Sequence, residues 1–417
     1  MQISGGSEAT VLPGQTSTGI DVLSGGKLFV TVSGTAEGTT IERGGVVQVQ
    51  GGLTEDDTIF GGEENVQFGT AHVSSGGTTV GISAGGTAIG LGITQRGLAR
   101  IFSGSFAENA AIFNSGALDV NTGAVAIGTT VGRGAVNIFG GFTSLTTVNA
   151  TGFEIINGGT AVGTTVNLSG VQAIHAQGTA SDTTIAAGGI QSVDSGGTAI
   201  LTTIGGTQFV IEGGVASASL LQSGGTEIVT SGGTTIATVF AGGALILSSG
   251  AVEIGNIIAL GSEVVSAGAV ASDARVFGQG KQIISGGKAF ATTVSSGGTQ
   301  VIAQSGTAGD NRHAEAQPHQ RRLRHLRRGG LIAVIRDACV QVHRGDRTRH
   351  IRSADQRRSD QRRFRERHHR KPQQRRFLLR AEFRPRHRHR YQGAGDQQHH
   401  RHADDRRNRR LRRRGRD

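Results

Sequence analysis

Short runs of β-branched and aliphatic residues recur along residues 1–308, and glycine ends nearly every run. In one group of runs, such as 154–156 and 300–302, a polar residue precedes two aliphatic residues. A second group begins with Thr-Ala, as at 160–166 and 198–204. Runs of this length and composition are too short for helices, so the pattern predicts many short strands.

Two interleaved series of glycines divide these runs into repeats. The first series has steps of 17 to 20 residues and contains Gly14, Gly34, Gly52, Gly69, Gly86, Gly104, Gly123, Gly141, Gly159, Gly178, Gly197, Gly214, Gly233, Gly250, Gly268, Gly287 and Gly306. The second series is offset by about half a repeat and is clearest at Gly134, Gly152, Gly170, Gly189, Gly206, Gly225, Gly243, Gly261, Gly280 and Gly298. Tight reversals favour glycine because they need a positive φ or a close backbone approach. Each repeat is therefore predicted to be strand, corner, strand, corner.

A repeat of this length predicts an all-β, right-handed parallel β-solenoid with about 18–19 residues per coil. Equivalent strands would pair in parallel with the coils above and below, and aliphatic columns would close a narrow core. About 16 to 17 coils at about 4.8 Å each would give a rod of about 80 Å.

One polar column interrupts the aliphatic pattern with regular spacing. It contains Glu154, Gln172, Gln191, Gln208, Glu227, Glu263, Gln282 and Gln300. Two interpretations are open: a structural side-chain ladder or an interaction stripe that presents repeated groups to a partner. We favour the structural ladder.

Charge separates the chain into two regions. Residues 1–308 carry 8 Lys and Arg against 19 Asp and Glu, whereas residues 309–417 carry 35 against 12. The net charge of +12 therefore hides an acidic repeat region followed by a strongly basic tail. We predict two domains with this boundary, and we see no signal peptide and no apolar membrane-spanning segment.

The tail is predicted to be disordered, because it is highly charged and poor in apolar residues. Its 34 Arg stand against one Lys, Lys371, which is unusual for a nucleic-acid-binding segment. Gln-Arg-Arg occurs at four places, and the codons CAG CGG CGG read one base later give Ser-Gly-Gly. The tail is therefore interpreted as an out-of-frame continuation of the repeats, with the break near Ala308. Nucleic-acid binding through its charge is the alternative.

The repeated Ser-Gly-Gly-Thr units, as at 75–78 and 296–299, resemble the strand-loop-strand repeats of autotransporter passengers. Relatives include adhesins of diffuse adherence, surface rods that a dedicated glycosyltransferase modifies with heptose on Ser and Thr. The resemblance covers residues 1–308 and implies a cell-surface or secreted location. It also implies O-glycan acceptors among the corner serines Ser75, Ser195, Ser223, Ser231, Ser285 and Ser296.

No catalytic, cofactor-binding or metal-binding residues are predicted. His72 and His175 each lack a second ligand at metal-like spacing, and the acidic residues are dispersed along the repeats. We therefore predict a non-enzymatic bacterial adhesive rod, a truncated or frameshifted fragment that contacts a host cell, a neighbouring cell or another copy of itself. The enzymatic alternative is a β-helix polysaccharide lyase or hydrolase, which would need clustered carboxylates on one face.

Overall fold

A computed structural model describes residues 1–60, 63–75, 79–313, 321–323, 332–336, 339–344 and 347–351. Side chains are described for residues 1–60, 63–71 and 80–312. Secondary structure within these ranges consists of strands and turns, without a helix. Residues 1–313 form about 17 coils of a parallel β-solenoid, which confirms the predicted fold class.

Each coil contains three strands, which stack into three faces. The long face contains Glu8–Val11, Lys27–Thr31, Val46–Gln50, Glu63–Gln67, Thr79–Ser83, Leu98–Ile101, Ala117–Asn121, Ala135–Phe139, Phe153–Asn157, Val171–His175, Ile190–Val193, Thr207–Val210, Thr226–Val229, Lys281–Ser285 and Thr299–Ala303. The middle face contains Thr16–Thr18, Thr35–Glu37, Thr87–Ile89, Phe106–Glu108, Val125–Ile127, Phe142–Ser144, Thr160–Val162, Thr179–Ser181, Thr198–Ile200, Val215–Ser217, Thr234–Ile236, Val252–Ile254, Val270–Ser272, Lys288–Phe290 and Thr307–Gly309.

The short face contains Gln2–Ile3, Asp21–Val22, Thr40–Glu42, Gly92–Ile93, Ala111–Ile112, Thr130–Val131, Thr147–Val148, Thr165–Val166, Thr184–Ile185, Thr203–Ile204, Leu220–Gln222, Arg275–Val276, Thr293–Val294 and Asn311–His313. Four strands run round a corner. Leu53–Phe60 and Thr70–Ser75 join the middle and short faces, and Val239–Leu247 and Ile257–Ser266 join the short and long faces. Pairing between coils is parallel and, apart from shifts within the two pairs of corner strands, in register, so equivalent residues form columns along the solenoid.

The prediction of two corners per repeat is wrong, because each coil has three. The third corner separates the middle and short faces and is made by one residue with a positive φ, such as Asp182 at 55° or Leu201 at 56°. The Thr-Ala run therefore comprises two strands. Sequence reasoning missed the bend because the residue at this position varies between glycine and non-glycine residues, so no glycine series marks it.

Alternate residues of the long-face strands point into the core. In the coil at 153–157, Glu154 and Ile156 are fully buried, whereas Ile155 is half-buried on the outer side. Two adjacent aliphatic residues cannot both face inward in an alternating strand, and the structure buries the second of them and places the first outside. The remaining core comes from one inward residue on each middle-face and short-face strand, such as Ala161 and Val166.

The second glycine series is required by close approach between coils. A Cβ atom at Gly280 would lie 1.9 Å from the carbonyl oxygen of Ile258 in the preceding coil, and one at Gly225 would lie 2.0 Å from that of Ile204. Neither contact can exist in a folded protein, so a larger residue would force the two coils apart.

Gly280→Ala should therefore lower the free energy of unfolding by on the order of 3 kcal/mol. A matched control is Gly213→Ala, because Gly213 has a φ of 82° but nothing within 4 Å of the added methyl group. The control should cost about 1 kcal/mol, through backbone strain alone. Denaturant titration of both full-length variants measures the difference, and equal losses would contradict the close-approach explanation.

Parallel pairing continues to Asn311–His313, slightly beyond the boundary predicted from charge. After this point the described strands pair antiparallel. Ile332–Arg336 pairs with Thr299–Ala303, and Cys339–Arg344 and Arg347–Ile351 follow it. The prediction that the tail at 309–417 is disordered falls largely on residues 314–320, 324–331, 337–338, 345–346 and 352–417, which lie outside the described residues.

Candidate functional site

The corner serines proposed as glycan acceptors occupy two edges of the solenoid. Four lie exposed in turns: Ser195, Ser223, Ser231 and Ser296. Ser285 is half-buried at the end of Lys281–Ser285, and Ser75 ends Thr70–Ser75 with its side chain outside the described residues. Exposed turn hydroxyls are accessible to a modifying enzyme, so four of the six predicted positions have the exposure that such chemistry needs.

The two edges differ in their spacing of serines. Ser195 and Ser231 precede glycines of the first series, at the corner between the long and middle faces, and both have a positive φ. They lie two coils apart, which corresponds to about 10 Å along the axis. Ser223 and Ser296 lie at the corner between the short and long faces.

A cluster of phenylalanines lies on the edge between the long and middle faces. We call Phe102, Phe106, Phe139 and Phe142 the phenylalanine edge. Their exposed fractions range from 37% to 43%, and register aligns Phe106 with Val125 and Val125 with Phe142. An apolar strip is thus continuous over three coils, and sequence reasoning did not single it out.

The polar column is inside the solenoid. Every one of its eight residues is fully buried, from Glu154 to Gln300. The column therefore forms a structural ladder, as favoured, and these side chains present no interaction stripe to solvent.

Buried hydroxyl groups line the third corner and bond to this ladder. Thr143 and Thr164 donate to the carboxylate of Glu154 at 3.1 and 2.9 Å, and Thr183 donates to Oε1 of Gln172 at 3.2 Å. Sequence reasoning missed this threonine column. The available signal was the Thr-Thr pair of the Thr-Ala run, whose first threonine faces inward.

Burial raises the pKa of each carboxyl group in the core. The pKa of Glu227 rises to about 7, although hydrogen bonds from Thr235 and Thr238 oppose the shift. The pKa of Glu263 also rises to about 7, and that of Glu154 is raised, with burial as the largest cause. Among the described side chains, no Lys, Arg or His is buried beside these acids, so no cation offsets the loss of hydration.

His175 has one acidic neighbour. Its Nδ1 contacts Oδ1 of Asp194 in the next coil, and Ser192 Oγ donates to Asp194 Oδ2 at 3.5 Å. The serine is bonded to the aspartate rather than to the histidine, so the three residues do not form a nucleophile and its base. In the described part of the chain no group of three or more His, Cys, Asp or Glu is arranged to hold a metal ion. The side chain of His72 lies outside the described residues.

No family model and no curated protein matches this chain. Six chains of solved structures do match. One is the crystal structure of a TibA fragment that is hyper-glycosylated in a reaction catalysed by TibC. This chain is 26% identical to that fragment, and the alignment covers 75% of this chain and 92% of the fragment with a TM-score of 0.34. Within the described residues, no helix has the length and apolar character that crossing a membrane requires.

Proposed function

We propose that this chain is a non-enzymatic rod that makes repeated contacts at a bacterial surface or as a secreted passenger. The contacts would serve adhesion, autoaggregation or biofilm formation. The observation that carries this proposal is repetition: about 17 coils present the same three faces at intervals of about 4.8 Å. Many weak contacts along such a surface add up to strong attachment, because each one raises the effective concentration of the next.

The phenylalanine edge supports a contact role. Aromatic side chains carry a large apolar area, and contiguous exposed apolar patches are characteristic of interaction sites. Here four such rings lie along one edge, two in each of two coils, and Val125 of the coil between them continues the strip. The outer surface therefore contains at least one strip suited to another cell surface or to a second copy of the chain.

The exposed turn serines support modification by a glycosyltransferase, as the resemblance to autotransporter passengers implies. Ser195, Ser223, Ser231 and Ser296 are the acceptors that we propose first, because their side chains are exposed. The basic tail at 309–417 remains interpreted as an out-of-frame continuation. Sequencing the DNA around codon 308 tests this, since a one-base correction should restore the glycine series.

Polysaccharide cleavage is the less favoured function. A lyase or hydrolase needs a carboxylate that reaches the substrate. Glu154, Glu227 and Glu263 are fully buried, so a polymer bound at the outer surface does not contact them. The regularly spaced acids that a sequence search would select first are thus part of the core.

Beads coated with the full-length chain test the proposal. We expect the beads to aggregate or to adhere to cells, and Phe106→Ser combined with Phe142→Ser to reduce this several-fold. Leu168→Ser is the matched control, because it removes an exposed apolar residue away from the phenylalanine edge. No aggregation or adhesion at any bead density, or cleavage of an acidic polysaccharide that a point mutation abolishes, would overturn the proposal.

A further inference from the structure

Seven of the eight residues of the buried polar column form two hydrogen-bonded runs with one direction, and Glu227 lies between the runs. In the first run, Nε2 of Gln172 donates to Glu154 at 2.7 Å, Gln191 donates to Gln172 at 2.5 Å, and Gln208 donates to Gln191. In the second run, Gln282 donates to Glu263 at 2.6 Å and Gln300 donates to Gln282 at 2.7 Å. Each amide thus donates to the residue one coil earlier.

Each internal amide oxygen in these runs accepts two hydrogen bonds. Oε1 of Gln172 accepts from Thr183 and Gln191, and Oε1 of Gln282 accepts from Thr292 and Gln300. The second run ends with a donor, since Nδ2 of Asn311 donates to Oε1 of Gln300 at 2.7 Å.

The first run, by contrast, ends without a donor to its last amide oxygen. Oε1 of Gln208 is buried and has no hydrogen-bond partner among the described residues. Two neighbours occupy the positions that supply donors elsewhere. Ser219 replaces the corner threonine, and Glu227 is aligned with Gln208 where the next amide would lie. Ser219 Oγ also lacks a partner, so rotation about its Cα–Cβ bond offers one of the two donors.

Among Glu154, Glu227 and Glu263, Glu227 is the acid that receives no amide. Thr235 donates to its Oε1 at 2.6 Å and Thr238 to its Oε2 at 3.1 Å, but the next residue in the column is Leu245. Glu154 and Glu263, by contrast, each receive a glutamine Nε2. An ionised Glu227 would therefore place a buried negative charge beside the amide oxygen of Gln208, with too few donors for both.

The charges around Glu227 also disfavour its ionisation. The strands packed against it, Thr207–Val210, Leu220–Gln222, Thr234–Ile236 and Val239–Leu247, contain no charged residue. Two buried acids follow, Glu253 in the next coil and Glu263 in the coil after it, and the charge of Glu227 contributes to the raised pKa of Glu263. No buried cation faces these acids among the described side chains.

We propose that Glu227 is a proton-binding site of the solenoid, whose neutral carboxyl group donates its O–H to Oε1 of Gln208 and so completes the first run. Loss of this proton leaves two acceptors facing each other between two adjacent coils. Pairing between Thr207–Val210 and Thr226–Val229 then weakens. The solenoid thus contains a pH-sensitive joint in one coil, independent of which surface it contacts.

Hydrogen exchange of the full-length chain between pH 5 and pH 8, corrected for intrinsic rates, tests this proposal. In the wild type, opening of Thr207–Val210 and Thr226–Val229 should become more frequent as the pH rises towards 7, and then level off. Glu227→Gln supplies a permanent amide donor, so it should keep the fold. In the wild type, one proton makes the opening equilibrium change by about tenfold per pH unit, and Glu227→Gln should remove this contribution.

Two further measurements make the test decisive. Difference infrared spectra at pH 6 should show that Glu227→Gln loses one carboxylic-acid carbonyl band relative to the wild type. Ser219→Ala should weaken these strands equally at all pH values. The proposal would be overturned if Glu227→Gln kept the full pH dependence of the wild type, if Ser219→Ala abolished that dependence, or if Glu227→Gln left the carboxylic-acid bands unchanged.

Discussion

Lowering the pH from 7.5 to 4.5 should stabilise the solenoid rather than destabilise it. Glu227 and Glu263 have folded-state pKa values of about 7, above the value of 4.5 for an exposed glutamate. Between these two pH values the unfolded chain releases protons that the folded chain retains, so unfolding becomes easier as the pH rises. The stability is fully present below pH 4.5 and is lost as the pH rises through about 7.

The expected loss is about 3 kcal/mol for each of the two groups, because each contributes about 1.4 kcal/mol per pH unit between its unfolded and folded pKa values. Urea titrations of the full-length chain at several pH values measure it. Glu108→Gln is the control, because it makes the same chemical change at an exposed side chain outside the core. A free energy of unfolding that rises from pH 4.5 to pH 7.5 would show that the buried acids do not govern the stability.

Gln282→Leu should lower the free energy of unfolding by about 4 kcal/mol, although leucine fits this column well. Leu245 and Leu118 occupy equivalent column positions and are fully buried. The volume of a leucine side chain therefore does not account for the loss of stability. The cost comes from hydrogen bonds. Glu263 loses a donor, and both Gln300 and Thr292 lose their acceptor, at about 1–3 kcal/mol per unsatisfied group.

Leu245→Met is the matched control for this substitution. It changes shape at an equivalent position without removing a hydrogen bond, and it should cost less than about 1.5 kcal/mol. Denaturant midpoints of the two variants give the comparison. If Gln282→Leu is as mild as Leu245→Met, the ladder contributes no more than ordinary packing.

Much of the fold could be predicted from the sequence because glycine marks two of the three corners. A Cβ at Gly225 or Gly280 would collide with a backbone oxygen, so the spacing of these glycines directly reports the length of a coil. The third corner needs only one residue with a positive φ. Asp182, Leu201 and Gly163 all have a positive φ, so no single residue type marks this corner in the sequence.

The direction in which the polar column faces could not be predicted from alternation alone. In the run at 154–156 a polar residue is followed by two aliphatic ones, and alternation places only one of the two inside without indicating which. The structure buries Glu154 and Ile156, because the threonines of the third corner satisfy the carboxylate. That compensation involves residues from two adjacent coils, and it becomes visible only when the strands are in register.

The single direction of the amide ladder limits how such a chain can change in length. Because each glutamine donates to the coil before it and accepts from the coil after it, a whole coil that carries a glutamine can be duplicated without leaving an unpaired group. An insertion of part of a coil would place an aliphatic residue in the column, and the glutamines on both sides would lose a hydrogen-bond partner. Growth and shrinkage of this solenoid by genetic duplication are therefore restricted to complete coils, with Glu154 and Glu263 as the fixed starting points of the two runs.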